Sequence, residues 1–264
     1  MCSQPRVIFQ AQQVSDTELM ITYQLVSFDL DGTLVDTAGE IAEAANLALE
    51  AHGVRRRAVN EITLLIGAGT RELMRRLLAI CVADEPQLHR TVHFDALMAS
   101  FDPYYASIFG SAARPYPGCH EALARLRAAG VLLACVTNKE IRHTRAVLSA
   151  AQLDGCFDLT VGGDSLAHKK PHASVLQHVL TVLGVDAGRA AHVGDSVIDV
   201  QAARNAGLTA WAVPYGYNAG QPIADAKPDR IFANLQQVAD YVLAQRLVVE
   251  LNAVSSLRRD GAAQ

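Results

Sequence analysis

Leu25-Val26-Ser27-Phe28-Asp29-Leu30-Asp31-Gly32-Thr33-Leu34-Val35-Asp36 runs from an apolar, strand-like start into two carboxylates and a glycine. Side chains two apart on a strand share a face, so the spacing places Asp29 and Asp31 together where the chain leaves the sheet. Two carboxylates in one spot repel, and either one takes up a proton or a cation compensates them. Oxygen ligands of this kind favour a hard divalent ion. An ordinary polar Asp-x-Asp-Gly turn is the plain alternative, and the residues downstream decide between the two.

Outward from that strand, residues 39–110 carry apolar residues at helical spacing, such as Ile41, Ala45, Ala48 and Leu49, then Leu73, Leu77 and Ile80. Ala113-Arg114-Pro115-Tyr116-Pro117-Gly118 breaks this pattern. Beyond it, helical stretches alternate with short apolar runs at 131–136, 159–161, 190–193 and 209–213. Continuous apolar runs are typical of strands buried on both faces, and the alternation predicts a parallel sheet with helices on each side. The expected fold is therefore α/β: a doubly wound, Rossmann-like sheet with an inserted all-helical domain. Residues 21–35 and 114–250 would form the core and 36–113 the insertion. Residues 1–20 and 251–264 are expected as disordered extensions, with Met20 as an alternative start.

Such sheets hold their ligands at the carboxyl ends of the strands, and three further signals fall there. Thr137-Asn138-Lys139 follows the strand at 131–136, where a hydroxyl and amides can meet phosphoryl oxygens; a turn with a helix cap is the simpler explanation for this piece alone. Lys169-Lys170-Pro171-His172 offers Lys170 as a point charge for phosphate, with Pro171 as the first helical residue and Lys169 on the surface. Gly194-Asp195-Ser196-Val197-Ile198-Asp199 ends the next strand with two more carboxylates. Asp195 would complete the oxygen shell of Mg²⁺, with Asp199 behind it, although a helix-capping aspartate would look the same.

Together, the four segments from Asp29 to Asp199 resemble, in order and spacing, the four signatures of the haloacid dehalogenase-like phosphatase superfamily. The resemblance implies that Asp29 attacks phosphorus and becomes an aspartyl-phosphate, while Asp31 protonates the leaving group and then activates water. It also implies that Thr137, Asn138 and Lys170 hold the phosphoryl oxygens. Mg²⁺ would be held by Asp29, the Asp31 main-chain oxygen and Asp195, and the helical insertion would be a mobile cap. Gly162-Gly163-Asp164-Ser165, Lys169-Lys170-Pro171-His172 and Tyr215-Gly216-Tyr217-Asn218 look like the phosphoglycolate phosphatases within it, over residues 22–245. That group often has Gly-Asn-Gly in the cap where this chain has Gly67-Ala68-Gly69.

Arg71 is a candidate grip on a substrate carboxylate, since a guanidinium binds one through two bonds; an exposed helix arginine is the alternative. His89 and His93, lacking a third ligand nearby, read as surface, and no catalytic role is expected for His168 or His172. The implied reaction is hydrolysis of 2-phosphoglycolate. A sugar phosphate such as N-acetylmuramate 6-phosphate is the alternative substrate, and a phosphomutase or a non-catalytic receiver-like phospho-binding protein are alternative classes.

Bulk properties fit a globular enzyme. Among 264 residues, 50% are hydrophobic and 19% charged, and the net charge is −4 from 23 basic and 27 acidic residues. A nucleic-acid partner is therefore not expected. Five widely spaced cysteines without a Cys-x-x-Cys pair indicate neither a disulfide framework nor zinc. No run approaches the about 18 apolar residues of a membrane span, so a cytoplasmic monomer or homodimer acting on a small phosphorylated metabolite is expected.

Overall fold

The computed structural model describes residues 22–108, 110 and 113–246; the two expected terminal extensions lie outside these. The chain opens with β1 (Leu25–Phe28) and a short β2 (Val35–Asp36), then α1 (Ala38–Ala51), α2 (Val59–Thr63), α3 (Thr70–Asp84), α4 (Leu88–Thr91) and α5 (Phe94–Ile108). It returns through β3 (Arg114–Pro115) to α6 (Cys119–Ala128), β4 (Leu132–Val136), α7 (Ile141–Ala150), β5 (Leu159–Val161) and α8 (Ser174–Leu183). The last elements are β6 (Ala190–Gly194), α9 (Val197–Ala206), β7 (Thr209–Ala212) and β8 (Arg230–Ile231), followed by helical residues 235–246.

Six strands form one parallel sheet in the order β5-β4-β1-β6-β7-β8. β1 is central, and the chain runs from β1 to β4 and β5 on one side before crossing to β6 on the other. A crevice opens where the order reverses, and here it lies beyond Phe28. The strand residues alternate between two apolar layers. Val26, Phe28, Leu133, Cys135, Val193 and Trp211 pack with α6, α7 and the 235–246 helix, whereas Leu25, Ala134, Val136, Ala190 and Ala210 face α8 and α9. Burial on both faces explains why these strands read as continuous apolar runs. The fold is a doubly wound Rossmann-like sheet with a helical cap.

β2 and β3 pair antiparallel, Val35 opposite Pro115 and Asp36 opposite Arg114. This two-residue ribbon carries the chain out of the sheet and back. The helices between its strands enclose a core of their own, with Leu49, Ile62, Met74, Leu97 and Phe101 buried together. Glu40 of α1 accepts the Ala113 amide at 2.8 Å, tying the outgoing linker to the returning one. Arg55, Arg56 and Arg57 occupy a loop after α1, and Arg56 and Arg57 pair with Glu43, Glu50 and Asp84. Among the described residues the cysteines are free, and no helix is long and apolar enough to cross a membrane.

Candidate active site

The register of the three central strands brings the sequence signals to one place. Phe28 lies level with Cys135 and Val193, so Asp29, Thr137 and Asp195 all follow strand ends at the same height. Asp29, Thr137, Lys139, Lys170, Asp195 and Asp199 are all under 8% exposed. Buried charges need partners, and the partners define the site.

Asp29 and Asp31 line one small cavity, as strand spacing predicts, but their charges are met separately. β1 ends at Phe28, and after it each carboxylate meets its own lysine. Asp29 Oδ1 lies 2.9 Å from Lys170 Nζ. Asp31 receives Lys139 Nζ at 2.8 and 2.9 Å and the Thr37 hydroxyl at 2.6 Å. The crowding falls instead on Asp29, Asp195 and Asp199, which each offer an oxygen within 4.8 Å of the other two.

Those three carboxylates are not equivalent. Asp199 is saturated: Oδ1 accepts Lys170 Nζ at 2.7 Å, with His192 Nε2 at 3.3 Å, and Oδ2 accepts the Ser196 amide and hydroxyl at 3.1 and 2.6 Å. The Ser196 bonds form a capping box at the start of α9, so Ser196, not Asp195, caps that helix. Burial opposes the Asp199 charge, yet Lys170 and His192 hold the carboxyl below its ordinary range. A buried chain thus runs from Ser27 through His192, Asp199 and Lys170 to Asp29, its first link 2.9 Å long.

Asp29 and Asp195 carry the unmet negative charge. Burial, with Asp199 and Asp31 nearby, raises Asp29 to about 6 despite Lys170. Burial, Asp199 and Asp29 push Asp195 well above the usual carboxylate range, although Thr33 and the Tyr217 amide donate to it at 3.0 and 2.6 Å. Asp29 Oδ1 is buried, and its Lys170 contact is an ion pair. Three buried carboxylates offering oxygens within 4.8 Å of one another fit a divalent cation. Glycines shape this corner: a Cβ on Gly32, where φ is +84°, would fall 2.5 Å from Asp195 Oδ2, and one on Gly216 would fall 2.2 Å from it.

Thr137 uses its amide in the sheet, donating to Val161 at 3.0 Å, and its hydroxyl accepts the Lys139 amide at 3.3 Å. The Asn138 side chain donates to Gly67 O at 3.1 Å and Lys170 O at 3.0 Å, so it bridges cap and core. Pro171 is not the first helical residue. His172 Nδ1 accepts the Ser174 amide at 3.2 Å and α8 begins at Ser174, because the segment before it turns inward to bury Lys170.

A cavity of about 20 Å³ separates this floor from the cap, lined by Asp29, Asp31, Thr137 and Lys139 below and by Ile41, Ile66, Thr70 and Leu73 above. That is room for roughly one water, which needs about 10–15 Å³. The cap is held down by Lys169 Nζ on Ala68 O at 2.5 Å and by the Thr70 hydroxyl on Glu140 at 2.8 Å, so Lys169, although exposed, is a cap contact.

Arg71 lines an open groove of about 800 Å³ with Glu140, His168 and His172, which also reaches Asn138 and Lys170. Its guanidinium pairs with Asp95 at 2.9 Å and lies 4.9 Å from the Phe94 ring centre. Arg71→Ala is therefore expected to change KM for a phosphomonoester by less than about fivefold, since an exposed pair contributes about 0.2–1 kcal/mol. A tenfold rise in steady-state KM would restore the arginine as a carboxylate contact. His168 and His172 stack on each other with ring centres 4.0 Å apart.

Sequence reading passed over Lys139, His192, Thr33, Thr37 and Tyr217. Tyr217 accepts the Thr37 and Ala38 amides at 2.8 and 3.1 Å and donates to Asp36 at 2.6 Å, clasping the linker into the cap. Thr33, Lys139 and Tyr217 each lay inside a quoted motif, whereas Thr37 and His192 lay in none.

A parallel sheet with buried carboxylates at its switch point, a buried lysine and a helical cap matches a class of hydrolase. The chain belongs to the haloacid dehalogenase-like hydrolase family, whose model matches residues 23–207, and it is a phosphoric monoester hydrolase. It is 36% identical to the phosphoglycolate phosphatase of Psychrobacter arcticus over 221 residues, 83% of this chain and 96% of that one. It is 38% identical to that of Nitrosospira multiformis over 220 residues, covering 82% and 94%. A crystal structure described as a predicted phosphoglycolate phosphatase from Haemophilus somnus superimposes with a TM-score of 0.80 at 32% identity, covering 84% of this chain and 99% of that one.

Proposed function

We propose that the protein is a Mg²⁺-dependent phosphatase that hydrolyses 2-phosphoglycolate through a phosphorylated Asp29. The observation that carries this reading is the buried Asp29 carboxylate, ionically paired with Lys170 and facing a small cavity closed by a helical cap. Splitting one hydrolysis into two displacements lowers each barrier. Asp29 forms the bond to phosphorus and Asp31 gives a proton to the departing oxygen. Asp31 then takes a proton from the water that releases phosphate. Lys170 neutralises charge on the phosphoryl group, and Thr137 and Asn138 line the position it occupies. Phosphoryl transfer builds charge on the equatorial oxygens, so positioning and neutralisation are most of catalysis.

Asp29, Asp195 and the Asp31 main-chain oxygen would hold Mg²⁺. When bound it supplies positive charge against the phosphoryl oxygens. Residues 36–113 act as the cap. A one-water cavity admits no phosphomonoester, so substrate entry requires the Lys169, Thr70 and Asn138 contacts to part and closure to expel water. The apolar ceiling of Ile41, Ile66 and Leu73 favours a small leaving group over a sugar. A panel of phosphorylated metabolites with and without Mg²⁺ tests this. Turnover confined to sugar phosphates would overturn the substrate.

The cation leaves a thermal signature. In the metal-free protein, protonated Asp29 contributes stability that is complete below its unfolded value near 3.8 and lost as pH rises through about 6. Above that window the cluster is charged and binds the ion. At a concentration of about 100 times Kd, Mg²⁺ is expected to raise Tm at pH 7.5 by roughly 5–10 °C. At pH 5 the rise shrinks to less than half. Thermal scans in which the shift grows on acidification would exclude carboxylate ligation.

A further inference from the structure

Lys139 lies two residues past Thr137 and is 3% exposed. Removing an ammonium from water is costly unless its charge is met, and here it is met by one carboxylate. Both oxygens of Asp31 lie within 2.9 Å of Lys139 Nζ. Thr37, on the linker into the cap, fixes Oδ1 from the other side at 2.6 Å. On its far side Lys139 Nζ lies 5.0 Å from the ring centre of Tyr105. Tyr105 belongs to α5 of the cap, is fully buried, stacks on Phe101 and meets His143 of α7 edge-on. The lysine thus stands between the cap and one catalytic carboxylate.

We propose that Lys139 is a positioning residue for Asp31, fixing the rotamer from which that carboxyl delivers its proton, and that Tyr105 ties this arrangement to the closed cap. The inference rests on the reading of Asp31 as proton donor. In the step concerned, the Asp29–phosphorus bond forms as the bond from phosphorus to the leaving oxygen breaks. The Asp31 proton passes to that oxygen, and Lys139 neither gives nor takes one. A positioned general acid contributes roughly 10²–10⁴-fold.

The test compares first-turnover release of glycolate from 2-phosphoglycolate with release of p-nitrophenolate from p-nitrophenyl phosphate, which departs without a proton. Lys139→Met is expected to slow glycolate release about 100-fold and p-nitrophenolate release less than about fivefold. The uncharged pair D31N/K139M, which leaves no orphaned charge, is expected to release glycolate no more slowly than D31N alone. Equal slowing of both leaving groups by K139M, no slowing of either, or additive losses in the pair would each overturn the positioning role. If D31N releases glycolate at the wild-type rate, the reading of Asp31 as acid falls instead.

Discussion

Asp29→Asn is expected to lower kcat on the proposed substrate, 2-phosphoglycolate, by at least about 10⁴-fold, with the fold intact. A carboxamide has nearly the shape of a carboxylate but cannot attack phosphorus, and removal of a nucleophile costs about as much as loss of the whole catalytic unit. The structure separates this loss from unfolding. Asp29 is held above the usual carboxylate range by burial, with Asp199 and Asp31 adding to the rise, so the neutral side chain relieves repulsion as well as losing the Lys170 ion pair. Tm is expected to stay within about 4 °C of wild type, the equivalent of roughly 1 kcal/mol or slightly more. Steady-state kinetics and a thermal scan measure both. More than 1% residual activity would remove Asp29 from the role of nucleophile.

Lys170→Met should damage fold and activity together. Lys170 Nζ donates to Val136 O at 2.6 Å and Asp199 at 2.7 Å and pairs with Asp29 at 2.9 Å. Deleting one partner of a buried charge network costs about 3–5 kcal/mol, because the remaining charge stays in the interior. Tm is expected to fall by roughly 6–20 °C and kcat by more than about 100-fold. The two effects part on a second change: K170M/D199N, which removes a stranded carboxylate, should regain part of the stability and none of the activity. Urea denaturation at pH 7 gives the first number and steady-state kinetics the second. Recovery of activity in the double variant would show that Lys170 serves Asp199 alone.

How far the site was legible depends on how each residue is encoded. Asp29, Asp31, Lys170 and Asp195 stand in dense local motifs after apolar runs, so spacing and strand-end logic found them. Lys139 stood in a quoted motif but received no role, since a lysine in a turn is ordinarily solvated. Only the packing of α5 against the core shows that this one is buried on Asp31 and Tyr105. His192 had no signal at all. It lies mid-strand among alanines and valine, and its partners Ser27 and Asp199 are brought to it by parallel pairing of β1 with β6 and by the first turn of α9.

The order of elements, the helical insertion and the acidic strand ends are properties of local pattern, and the chain alone determines them, because apolar periodicity and turn residues act over a few positions. The minor strands β2, β3 and β8 are two residues long, too short to leave a periodicity, and appear only as pairings. Which carboxylate faces which lysine was likewise decided in three dimensions. Strand spacing placed Asp29 beside Asp31, whereas the end of β1 at Phe28 and the convergence of β4, β6 and the 170 segment gave each acid its own cation. Electrostatics acts through space, across as many as 170 residues between Asp29 and Asp199, and no local pattern carries that distance.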